Sequence, residues 1–278
     1  RLSEKELKEI KPSELIEIVK SIFNYKQRVL YFGPMQTDLL VQTMDIEHKT
    51  PEKFKTTTAK SEFPELPITE TEVYVVNYDM QQAEVIMLSK SIPYDKNNTA
   101  IIDLYNQYFD GGMQSILFQE LRESKALAYA TYSAFQIPRK KDRSNYIVAY
   151  IGTQADKLPE AMTGMNELFN NMPESDNIFN NSKTSMLKQI QSERYTNSGI
   201  LYEYEALKKL GLETDIRKEV YEQVPLLNFN NVKEFQNKYV KDKKYKILVL
   251  GDIKQLDMKT LEKYGKVNIL TLKDVFGY

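Results

Sequence analysis

Cysteine is absent from this 278-residue chain, and histidine occurs once, at His48. The first absence removes disulfide scaffolds, thiolate zinc sites, Fe–S clusters and cysteine nucleophiles. The second removes every metal motif built on two histidines. Excess charge is missing too: 38 Lys and Arg stand against 39 Asp and Glu, a net charge of −1. No general field therefore draws the chain to nucleic acid or to an anionic membrane. No apolar run approaches the roughly 18 residues of a membrane helix. The best short one, Ile247 to Leu250, is strand-sized, so membrane insertion is not expected. The opening RLSEKELKEIK has neither an initiator Met nor a signal-peptide core, and the chain reads as a piece of something longer. The compartment stays open, periplasm and cytoplasm alike.

What is present is the composition of a folded soluble protein, 41% hydrophobic and 28% charged. Its length suits two ordinary domains or one large one. Near the start, Leu15, Ile16, Ile18, Val19, Ile22 and Phe23 fall on one helical face, and Gln27 to Phe32 (QRVLYF) reads as a buried strand ended by Gly33-Pro34. From 50 to 67 Lys, Thr, Glu and three prolines replace any periodicity, which marks a linker. Glu72 to Tyr78 and Ala83 to Ser89 then read as strands, with the tight Met80-Gln81 connection suiting antiparallel pairing. Helices are expected over Asn97 to Phe109 and Gln114 to Lys125, and strands over Leu127 to Ile137 and Asn145 to Gly152. In the helix-rich stretch that follows, Leu158, Met162, Met165, Leu168, Phe169 and Met172 share a face. A Met row at that spacing is core filler.

The close of the chain, helix Phe229 to Tyr239, strand Tyr245 to Leu250, Gly251-Asp252 and helix Met258 to Tyr264, repeats the plan of Glu14 to Gly33. The division expected is a helix–strand–helix tail of a preceding homologous domain over 1–49, a linker over 50–67, and a complete domain over 68–278. The fold class expected is α+β, a mostly antiparallel sheet packed against helices in two layers.

Few residues stand out chemically. Met44-Asp45-Ile46-Glu47-His48 has the form of H-x-x-E-H with its first His replaced by Met, and a thioether cannot replace that imidazole on Zn²⁺. A helix end with a His near its C-terminal dipole is the plainer reading. Carboxylate pairs such as Glu203 and Glu205, or Glu4 and Glu6, are expected by chance among 39 acidic residues.

One segment is different. Phe109 to Ser133, FDGGMQSILFQELRESKALAYATYS, carries a Gly-rich turn, a helix with LF-x-x-LRE and an LAY strand in that order. It resembles the second-half signature of the pitrilysin/insulinase-like zinc metallopeptidases (inverzincins). Gly111, Gly112, Leu117, Phe118, Leu121, Arg122, Glu123, Leu127, Ala128 and Tyr129 match, and Ala126 stands where that family often has Gly. The resemblance runs on through VYVVNYDMQQAEV to VYEQVP, KILVLGD and LEKYGKV. It implies a two-half mechanism in which the first half binds zinc through H-x-x-E-H. The second half lacks metal ligands and closes over the first to form a peptide-holding chamber. Lacking H-x-x-E-H, this chain resembles the second half. On that resemblance its partners are the N-terminal zinc-binding half of the same chain and peptide substrates, and the zinc belongs to the full-length protein. Tyr129 and Arg122 are then its candidate transition-state and substrate donors. The alternative is a non-catalytic relative that uses the fold as a structural or partner-binding subunit.

Overall fold

The computed structural model describes residues 2–57 and 62–277 and divides into two compact units. One comprises the residues up to Pro64 together with Tyr195–Glu205, the other Glu65–Arg194 with Ala206–Gly277. Residues 58–61, inside the expected linker, lie outside the described residues.

The first unit contains α1 (Glu4–Glu9), α2 (Pro12–Ser21) and α3 (Thr37–Glu47). Ser3 and Glu6 cap α1 reciprocally, and Pro12 starts α2, where its missing N–H costs nothing. Gln27 to Phe32 is not a strand, contrary to its apolar sequence: the one bridge nearby joins Tyr25 to Lys55. A strand needs a neighbour for its backbone N–H and C=O groups, and no described segment pairs with this one. The strand of the apparent repeat is therefore not formed here.

The second unit holds β1 (Glu72–Asn77), β2 (Gln82–Pro93), α4 (Thr99–Asp110), β3 (Ala130–Gln136), β4 (Ser144–Gln154), α5 (Leu158–Asn170) and α6 (Asp176–Ser192). After α7 (Asn197–Leu210), whose last residues belong to it, come α8 (Ile216–Gln223), α9 (Phe229–Tyr239), β5 (Lys246–Gly251), α10 (Met258–Tyr264), β6 (Lys266–Leu270) and α11 (Leu272–Phe276). The strands form one sheet in the order β3-β4-β2-β5-β1-β6. The pairs β3–β4, β4–β2 and β2–β5 are antiparallel, whereas β5–β1 and β1–β6 are parallel. This is the α+β class expected, with a mixed sheet. Met80-Gln81 does not close a hairpin, because β5 inserts between β1 and β2.

Alternation decides which face is buried. Val73, Val75, Ala83, Val85, Met87, Ile147, Ala149, Ile151, Ile247 and Val249 all point to the core, while the residues between them lie on the other face. The core closes with α4 and α5, where Met162, Met165, Leu168 and Phe169 are buried as filler and Met172 only partly. Aromatic rings continue the core: Phe109 stacks on Phe169 at 5.7 Å, and Phe169 on Tyr245 at 5.7 Å.

Strand β3 is a sheet edge, and α4 covers its free backbone. Asn106 bonds both the N–H (2.8 Å) and the C=O (3.1 Å) of Phe135, and Asp110 accepts the Ser133 N–H at 2.8 Å. Side-chain amide and carboxylate thus stand in for a seventh strand. Burial pushes the Asp110 carboxyl up to about 6 despite that N–H, and burial alone pushes Asp103, two turns earlier, up to about 6. A carboxyl raised in the folded state holds its proton longer than in the unfolded chain. Its stabilising effect is complete below about pH 4 and is lost as pH rises through about 6. Asp103→Asn is therefore expected to raise the melting midpoint at pH 8 and to leave it unchanged near pH 4. Equal shifts at both pH values would exclude the burial effect.

Candidate functional site

The segment singled out by its motif forms a closed loop between helix and sheet. After the Gly111-Gly112 turn, residues 116–117 are α-helical and Phe118–Ser124 winds as a π-helix, so the expected helix over Gln114 to Lys125 is shorter and wider than its sequence suggests. Leu117 and Leu121 anchor it in the core. The Leu127 N–H donates to the Leu121 C=O at 2.9 Å and closes the loop. Thr153 Oγ1 holds the Leu127 carbonyl at 2.5 Å, and Lys157 Nζ holds that of Ala126 at 3.1 Å. Strand β3 starts at Ala130, three residues later than the periodicity implies, because those residues build the loop.

Ala126 has φ 46, the left-handed region in which a Cβ is unfavourable by about 1–2 kcal/mol. The position thus has the backbone conformation of a glycine. Ala126→Gly is expected to raise the melting midpoint by a few degrees, after the added freedom of the unfolded chain offsets part of the relief. A lower midpoint would count against strain at this turn.

Arg122 is exposed on the π-helix, with its guanidinium 4.8 Å from the Phe118 ring centroid. Among the described residues it has no carboxylate partner, so Glu120 and Glu123 do not pair with it. Tyr129 stands at the other end of the loop, 43% exposed, its N–H donating to the Gly152 C=O at 3.0 Å. Its hydroxyl donates to Glu84 on β2, and the Tyr150 hydroxyl from β4 donates to the second oxygen of the same carboxylate. Glu84 lies directly opposite Gly152 across the β2–β4 ladder. A Cβ at Gly152 would stand 2.6 Å from Tyr129 Cζ and 2.8 Å from Tyr150 Oη, so the missing side chain is what lets both phenols lie over the sheet.

Desolvation, and then the acceptor Glu84 and neighbouring Tyr150, push the Tyr129 hydroxyl well above its usual range. Tyr150 is raised by the same desolvation and carboxylate. Both groups therefore remain protonated donors at any neutral or mildly alkaline pH. The sequence motif pointed to Tyr129 and Arg122 but missed Glu84, Tyr150 and Gly152. The available signal was parity, since the alternation of β2 sets Glu84 and Ile86 on the face away from the core.

Among the described residues no group of three or more His, Cys, Asp or Glu side chains is placed to hold a metal ion. His48 caps the C-terminus of α3, its N–H on the Met44 carbonyl at 2.8 Å and its ring 5.5 Å from Phe23. Among the described residues no helix is long and apolar enough to cross a membrane.

A helix layer on one face of a six-stranded mixed sheet, with Tyr129 on the other face, defines an α+β domain with no metal-binding group among its described residues. The profile of the peptidase M16 inactive domain matches residues 9–186, well over half of the chain, and the chain belongs to that family. A peptidase M16 inactive domain from Pseudomonas fluorescens superposes with a TM-score of 0.60 at 20% identity, over 79% of this chain and 51% of its own. A protease from Helicobacter pylori gives 0.60 at 15% identity, over 78% and 53%. The periplasmic protease PqqL from Escherichia coli gives 0.57 at 13%, over 79% and 24%. At such identities the likeness is one of fold. The chain spans about half the length of the first two and about a quarter of the third. No curated protein sequence matches it.

Proposed function

We propose that this chain is the second, non-metal-binding half of a zinc metalloendopeptidase and that its bare sheet face forms part of the wall of a closed peptide chamber. On this reading residues 1–49 belong to a preceding homologous domain, 50–67 link, and 68–278 belong to the second domain. The hydrolytic centre lies on the N-terminal half, and this chain contributes donors to the bound peptide.

The observation that carries the proposal is the Tyr129 hydroxyl, a neutral donor half-exposed on the sheet face away from the core, in a residue whose N–H is held by the Gly152 carbonyl. When a peptide carbonyl is attacked, negative charge grows on its oxygen. A donor aimed there gains strength as the charge develops, which is the form of binding that accelerates a reaction. To reach substrate, Tyr129 exchanges one acceptor for another. Glu84 keeps its second bond to Tyr150 and stays in place. Arg122, free of carboxylate partners, offers a planar fork for substrate carbonyls and so orients the segment to be cut.

The test compares the isolated chain with the full-length protein. The isolated chain is expected to retain no stoichiometric zinc and to cleave no peptide, while the full-length protein does both. Tight zinc in the isolated chain, or a full-length protein without peptidase activity, overturns the assignment.

A further inference from the structure

The sheet face away from the core carries one carboxylate whose hydrogen-bond partners among the described residues are both neutral. Glu72 on this face is ion-paired with Lys246, and Lys90 with Glu65 at 3.2 Å. Glu84, by contrast, is held among the described residues by the two tyrosine hydroxyls alone. Its cross-strand neighbours are Gly152 on β4 and Leu250 on β5, and the next row along the strands, Tyr132, Tyr150, Ile86 and Leu248, is neutral throughout. A carboxylate accepts about four hydrogen bonds, and the phenols fill two of those positions. Glu84 therefore keeps unused acceptor capacity on a sheet face where both of its hydrogen-bond partners are phenols.

From this arrangement we infer that Glu84 is a specificity subsite that selects peptides carrying an arginine or lysine side chain; the inference rests on the chamber-wall reading above. The surroundings suit such a side chain at each part of its length. Ile86 and Leu248, 45% and 39% exposed, offer apolar surface for a methylene stem. Tyr129 and Tyr132, each 43% exposed, offer aromatic surface to a cation. The carboxylate receives the charged head, and because Tyr150 still orients it when Tyr129 turns to substrate, little ordering is left for binding to impose. Arginine fits better than lysine, since its fork can donate to the two remaining lone-pair positions at once. The occupant is an extended basic peptide segment, and the reason is charge complementarity: a lone anion on an apolar, aromatic face discriminates strongly against acidic segments.

The experiment uses the full-length protein and a matched pair of peptides that differ only in arginine or its neutral isostere citrulline. The expected kcat/KM for the arginine peptide is about tenfold higher, a preference that shrinks with added salt. In Glu84→Gln the ratio collapses to within twofold, whatever happens to the absolute rates. Glu84→Lys, assayed with a glutamate peptide, inverts the preference, which misfolding cannot mimic. Equal rates on the pair in the wild type, or a preference that survives Glu84→Gln, overturns the inference and leaves the chamber-wall reading standing. If neither peptide is cleaved, the chamber-wall reading falls and takes this inference with it.

Discussion

Replacing Tyr129 by Phe is expected to lower peptide turnover by the full-length protein about a hundredfold, on the order of 3 kcal/mol of transition-state stabilisation. The ring stays and the hydroxyl goes, so the change isolates one donor. Glu84 keeps its bond from Tyr150, and one hydrogen bond on a half-exposed face contributes only about 1 kcal/mol to folding. The melting midpoint should move by a few degrees at most, and zinc content should not change. Because the donor strengthens as charge develops, the loss belongs in kcat and kcat/KM together, with KM little altered. Wild-type turnover in this variant would end the donor role for Tyr129.

Gly152→Ala should have a comparable effect without removing a single polar group. Its new methyl would stand 2.7 Å from Tyr129 Oη and 2.8 Å from Tyr150 Oη, distances at which the rings have to move. Displacing a positioned group by about 1 Å can cost a hundredfold in rate, and forcing a methyl into close-packed surroundings destabilises by about 1–3 kcal/mol. The double variant Gly152→Ala/Tyr129→Phe should be little slower than either single one, because both remove the same donor. Additive rate losses would mean that Gly152 acts through something other than the phenols. Near-normal activity in Gly152→Ala, with the fold intact, would show that the tyrosine cluster is not held where the proposal needs it.

The same residues show how much of this site was legible beforehand. Tyr129 and Arg122 lie seven positions apart in one contiguous motif, so a linear reading could single them out. Glu84 is 45 residues from Tyr129 and 66 from Tyr150, and only the register of β2 against β4 brings the three together. Gly152 gave no local signal, because its need for a missing Cβ arises from Tyr129 and Tyr150 lying across it. The turn at Ala126 was flagged as a departure from Gly, and its φ of 46 supplies the backbone reason.

For the fold, alternation and helical spacing recovered β1, β2, β4, β5 and the helices α4, α5, α9 and α10, since in each the buried face repeats every two residues or every three to four. They placed a strand at Gln27 to Phe32, where apolar character exists without a pairing neighbour, and they missed β6, where Lys266–Leu270 is only partly buried.

What the sequence determined by itself is the α+β class, the periodic core faces and the motif that carries Tyr129 and Arg122. All of these reside in composition or in contacts a few residues apart. Tertiary structure alone decided the insertion of β5 between β1 and β2 and, through the register of β2 against β4, the carboxylate clamped by two tyrosines over a glycine. Those features depend on which distant strands become neighbours and in what register. Strand pairing is settled by packing both faces of the whole sheet at once, and no local pattern records it.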